Sequence, residues 1–69
     1  MNLLKRLQPK FTKKLKLLKE KHPYTYANII SILEDQEFYS DLKISEAVTI
    51  CFYLDVEFTL GNLNDLFNE

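Results

Sequence analysis

ISEAVTICFYLDVEFTL, residues 44–60, carries two competing periodicities, and the choice between them sets the fold class. Read as a strand, Val48, Ile50, Phe52, Leu54, Val56, Phe58 and Leu60 are apolar at even positions. Thr49, Tyr53, Asp55, Glu57 and Thr59 alternate with them and are mostly polar, as one half-buried face requires. The β-branched and aromatic content agrees with a strand. Read as a helix, residues 44–54 place Ser45, Glu46, Thr49 and Tyr53 on a polar side, while Ile44, Ala47, Val48, Ile50, Cys51, Phe52 and Leu54 fill the rest. A strand needs a partner, and no second strand is evident elsewhere in the chain. Helix is therefore the expectation for 44–54, with a strand within 47–60, in an α+β fold, as the alternative.

Outward from this stretch the helical signals strengthen. Leu4, Leu7, Phe11, Leu15 and Leu18 recur at steps of three and four, one narrow apolar stripe. Pro9 fits a first helical turn, where its missing N–H has no partner to lose. That predicts a helix over 9–21, preceded by residues 1–8 as a looser basic leader, with a kink at Pro9 as the alternative. Pro23 pushes His22 out of helical geometry and ends it. Thr25 then caps a helix over 25–35 with Tyr26, Ile29, Ile30 and Leu33 on one face. Ser40 and Ser45 are candidate caps for the next helix. Asn62 caps a short last one over 62–67, with Asp65 in its first turn and Leu63, Leu66 and Phe67 docking inward. The expected fold is all-α, a compact bundle of three to four short helices in a single domain spanning 1–69. Its expected core is Leu7, Phe11, Leu15, Leu18, Ile29, Ile30, Leu33, Ala47, Val48, Cys51, Phe52, Leu63 and Leu66.

A chain of 69 residues, 46% hydrophobic, has enough apolar material to fold but buries only about 60% of its unfolded surface. Scaffolds of this size gain from a staple, and the single Cys51 cannot form an internal disulfide, so self-association is the expected supplement. One cysteine, no leader-like apolar run with a cleavage site and no apolar stretch near 18 residues suggest a cytoplasmic address.

The net charge of −1 hides a division. Residues 1–22 carry eight basic residues against Glu20, a balance of +7, and residues 23–69 carry nine acidic residues against Lys43, a balance of −8. Two candidate partner-binding faces follow: a basic one of Lys5, Arg6, Lys10, Lys13, Lys14 and Lys16, and an acidic one of Glu34, Asp35, Glu37 and Asp41. The plainer account is that the two halves attract each other in the folded chain.

Catalysis has little to work with: one His, one Cys and no glycine-rich loop. Cys51 sits on the apolar arc as a small hydrophobe, and His22 is placed to meet the helix dipole rather than to act as a base. The acidic residues lack the spacing and glycine of a calcium loop. Neither a metal nor a cofactor is implied, and a non-enzymatic binding role is expected.

Protein–protein binding through the charged faces comes first, as a regulator or adaptor, and a homo-oligomer would use the same faces. Nucleic-acid binding through the lysines comes second. Ile50-Cys51-Phe52-Tyr53-Leu54-Asp55-Val56 resembles the first helix and turn of the Cro and lambda-repressor-like family, which implies a helix-turn-helix. The sequence departs from that family in the segment that would be the recognition helix, 57–69, which holds Glu57, Asp65 and Glu69 and no Lys or Arg. Membrane-surface association of the first, lysine-rich amphipathic helix comes third.

Overall fold

Two prolines set where the long helices start. In a computed structural model, which describes residues 1–67, α1 spans Leu3–Arg6, α2 Pro9–Lys21, α3 Pro23–Asp35, α4 Ile44–Tyr53 and α5 Leu60–Leu66, with a single 3₁₀ turn at Tyr39–Asp41. Pro9 and Pro23 each occupy the first helical turn, where the absent N–H costs nothing. The α3 helix therefore begins two residues before the Thr25 cap expected from sequence. The carbonyl of His22 accepts its first helical bond, from the Tyr26 N–H at 2.9 Å. No loop separates α2 from α3, and these two make the most extensive helix contact, followed by α1 on α3.

The fold is all-α, and among the described residues there is no strand or sheet, only one antiparallel bridge between Leu7 and Phe67. Residues 44–53 are helical, one residue short of the expected end. Glu46 accepts a hydrogen bond from the Lys43 N–H at 2.9 Å, so Lys43 takes the cap position that Ser40 or Ser45 was expected to fill. At the other end Asp55 adopts φ 59°, the left-handed region. The Val56 N–H donates to the Cys51 carbonyl at 2.9 Å and the Asp55 N–H to the Phe52 carbonyl at 3.2 Å. These are the paired bonds of a Schellman turn, with aspartate where glycine is usual. In α5 the cap is Thr59, whose hydroxyl accepts from the Asn62 N–H at 3.0 Å, rather than Asn62 itself.

Such a turn decides which side of α4 faces inward. The carbonyl of Cys51 is joined to the Val56 N–H, and the two side chains share one side of the turn. Cys51 is buried and Val56 packs on the core, so Ala47, Ile50, Cys51 and Leu54 form the buried stripe. Relative to the sequence expectation, α4 is rotated by nearly one residue's turn. Val48 and Phe52, expected in the core, are exposed, and Ile30 is only partly buried. Ile50 and Leu54 take the inward places.

Residues 1–8, expected as a basic leader, hold α1 and hydrogen-bonded flanks. Asn2 caps α1 by accepting from the Lys5 N–H at 3.1 Å, and the Leu3 N–H donates to the Gln36 carbonyl at 2.8 Å, at the end of α3. Leu3 and Leu7 are buried. The Gln8 N–H donates to the Leu66 carbonyl at 2.9 Å, and the Gln8 side-chain amide donates to the Asp65 carbonyl. The first and last described segments are thus joined in one core, through Leu3, Leu7, Leu66 and Phe67.

Leu3→Ala should lower stability by about 2–4 kcal/mol, the cost of a cavity at a fully buried leucine, read by urea denaturation. A loose leader would leave the midpoint unmoved. Asp55→Gly should raise stability by about 0.5–1 kcal/mol by relieving the left-handed backbone, and Asp55→Val should lower it by about 1 kcal/mol or more.

Candidate protein-binding surface

The basic residues expected to form one face are divided among three settings. Arg6 is engaged locally: its Nε donates to the Met1 carbonyl at 3.2 Å, and its guanidinium lies 5.5 Å from the centre of the Phe38 ring. Lys5 is exposed on α1. Lys10, Lys13 and Lys16 are exposed on α2 with no carboxylate partner among the described residues, and Lys10 lies 5.2 Å from the Phe11 ring centre.

Lys14 has turned inward. Its Nζ donates to the Leu54 carbonyl at 3.0 Å and stands 3.9 Å from an Asp55 carboxylate oxygen. An ammonium at the last carbonyls of α4 meets the negative end of that helix. The pair with Asp55 is long and its carboxylate is 82% exposed, so the carbonyl contact is the stronger tie.

The lysine side of α2 contains an apolar residue that the sequence reading left unused. Leu17 is 55% exposed, and a helix of 3.6 residues per turn puts it on the same side as Lys10, Lys13, Lys14 and Lys21. Beside it opens a cleft of about 320 Å³, lined by Lys14, Leu17, Lys21, His22, Phe52 and Asp55 with Leu18 and Tyr53. Phe52 is 71% exposed and stands edge-on to Tyr53, ring centres 5.1 Å apart, and the His22 ring lies 6.0 Å from Tyr53. The cleft has an apolar floor and a rim of two lysines and one histidine against one aspartate. Sequence alone gives one clue to it: Leu17 is the single leucine of this helix outside the buried stripe.

The acidic residues do not gather into one face. Glu34 and Asp35 line a separate cleft of about 460 Å³ at the end of α3, together with Glu46 of α4. Asp41 is in the 3₁₀ turn. Glu37 accepts a 3.0 Å hydrogen bond from the Met1 ammonium, and that bond together with the ammonium charge holds its carboxyl below the ordinary range. A lowered folded value stabilises above the unfolded pKa and is lost as pH falls through the folded one. Among the described residues no three His, Cys, Asp or Glu side chains converge as metal ligands.

The attraction between halves is seen between Lys14 and Asp55 and at Glu37, which feels both the Met1 ammonium and the Arg6 charge. Phe11, Leu15 and Leu18 are occupied by the core, which leaves Leu17 as the apolar residue α2 presents outside. No described helix is long and apolar enough to cross a membrane. The segment resembling a helix-turn-helix forms the end of α4 and its Schellman turn, followed by an α5 without a basic residue.

Cys51 is fully buried and its thiol is pushed up by loss of solvation. The folded chain therefore keeps the proton where the unfolded chain releases it, and this group's contribution turns unfavourable as pH rises past about 8.5. No known family model, curated protein or solved structure matches this chain.

Native protein at pH 8 should react with a thiol reagent at least about 100-fold more slowly than the urea-unfolded chain, because only opening exposes the sulfur. Equal rates would place Cys51 at the surface.

Proposed function

We propose that this protein is a non-catalytic, cytoplasmic binding module that captures an acidic segment of another protein on the outer side of α2. The observation that carries this reading is Leu17, more than half exposed in the midst of lysines and adjoining the cleft floored by Phe52. Leucine desolvates well and contributes about 1.5–3 kcal/mol when buried, while Lys10, Lys13 and Lys21 supply charge around it. An anchor inside a charged rim is the anatomy of a protein contact. Its complement is an amphipathic segment with an apolar side chain for the cleft and carboxylates for the rim. A free cysteine suits a reducing compartment.

Single-stranded nucleic acid is the second reading, and one observation favours it. Folding brings the exposed Phe52 ring beside Lys14, Lys21 and His22, an exposed aromatic ring from outside residues 1–22. Asp55 in the same cleft opposes a phosphate backbone.

The test uses fluorescence anisotropy with three labelled probes: a helical peptide of leucines and glutamates, the same peptide with lysine for glutamate, and a 20-nucleotide single-stranded DNA. Acidic peptide alone should bind, and Leu17→Asp should weaken it at least about tenfold, the worth of a buried leucine plus like-charge repulsion. Binding of DNA that is lost with Phe52→Ala and indifferent to the peptide would select the second reading instead.

A further inference from the structure

Residues 47–54, AVTICFYL, hold no charged residue, no proline and no glycine, and Glu46 and Asp55 bound them. Val48, Thr49 and Ile50 are β-branched, and Phe52 and Tyr53 are aromatic, types that favour strands and are middling helix formers. In α4 these side chains are split. Val48 and Phe52 stand with Ile44 on an exposed ridge, while Ile50 and Leu54 are buried on the inner side. In an extended chain, where side chains alternate, Val48, Ile50, Phe52 and Leu54 share one face, with Thr49, Cys51 and Tyr53 on the other. Local preference and fold therefore disagree over this segment.

What holds it as a helix is tertiary and limited. Ten residues make a helix that is marginal by itself in water. The α4 helix pairs only sparsely with each of the other helices, whereas α3 is held by both α1 and α2. Its start is fixed by the Glu46 bond to the Lys43 N–H. Its end relies on Lys14 at the Leu54 carbonyl and on Asp55 at φ 59°, a conformation costly to a residue that is not glycine.

We propose that residues 47–54 are a latent strand: when α4 opens, the segment pairs with the same segment of other copies in a cross-β assembly, and the folded helix keeps it from doing so. No second strand-forming stretch is evident in the chain, so the pairing strand comes from another copy. Identical segments also stack in register, which a foreign sequence does not offer. In that stack Val48, Ile50, Phe52 and Leu54 form one dry face. Glu46 and Asp55 fall like on like at its two edges, the flanking charges that restrain such segments in native sequences. The assembly uses the backbone of opened α4, not the surface of the folded helix, and it is independent of the α2 cleft.

The full chain, agitated at about 100 µM at its urea midpoint, should form thioflavin-binding fibrils whose diffraction shows a reflection at about 4.7–4.8 Å. Without urea the lag should be at least about tenfold longer, because opening comes first. Val48→Lys changes a surface position of the fold but sets a charge in every layer of the stack. At its own urea midpoint, where the open fraction matches the wild type, it should lengthen the lag at least about tenfold. Ile44→Lys lies on the same exposed ridge but outside the segment, and measured in the same way it should keep the lag within about twofold. Far-UV circular dichroism without urea checks that both variants fold. A wild type that stays dye-negative at its midpoint, a Val48→Lys chain that assembles unhindered, or equal slowing by the two substitutions would overturn the proposal.

Discussion

A ten-residue helix buries one stripe against a core this small, and α4 has apolar side chains for two. One row is Ala47, Ile50, Cys51 and Leu54. The other is Ile44, Val48 and Phe52. The way α4 ends settles the competition: a Schellman turn with Asp55 in the left-handed region sends Val56 back to the core on the side of Cys51. The first row follows it inward and the second is turned out. Phe52 then forms the floor of the cleft beside Leu17, and the last carbonyl of α4 is presented to Lys14. Both surfaces discussed above follow from this one rotational setting.

The second constraint is size. With α4 contributing four modest side chains, the core draws on the first and last described segments, and Leu3 and Phe67 are among its most completely buried members. Backbone hydrogen bonds from Leu3 to Gln36 and from Gln8 to Leu66 hold these ends where unpaired peptide groups would otherwise be expensive. This closure was not legible in the sequence. A four-residue helix is too short to show a period, and its hydrogen-bond partners lie more than thirty positions away by roughly any count of the chain. The long helices were legible because their signals are local, stripes at steps of three and four and a proline at the start of 9–21, whereas Pro23 was read only as the end of that helix and not as the start of the next. The helix over 9–21 has the boundaries expected from those signals.

For α4, sequence distinguished helix from strand by a global argument, the want of a partner strand, but it did not fix the rotation. Apolar residues cover most of the helix, so periodicity defines no unique inner side, and aspartate in a left-handed turn is a weaker mark than glycine. The even-position alternation that argued for a strand has a simpler origin. It joins the outer and inner rows of a helix to an extended segment, residues 56–59, in which Val56 packs inward and Phe58 does not.

Charge counting behaved similarly. It located the basic residues on the first two helices but treated them as equivalent, whereas the fold assigns each a different neighbour. Arg6 stacks near Phe38, Lys14 caps α4, Lys19 lies 5.7 Å from the Tyr26 ring, and Lys10, Lys13 and Lys16 remain at the surface. Leu17 stands on the side of Lys10 and Lys13, and its place beside a cleft depends on Phe52 being outside, which is again a consequence of the rotation of α4. Phe52 borders both the α2 cleft and the α4 ridge.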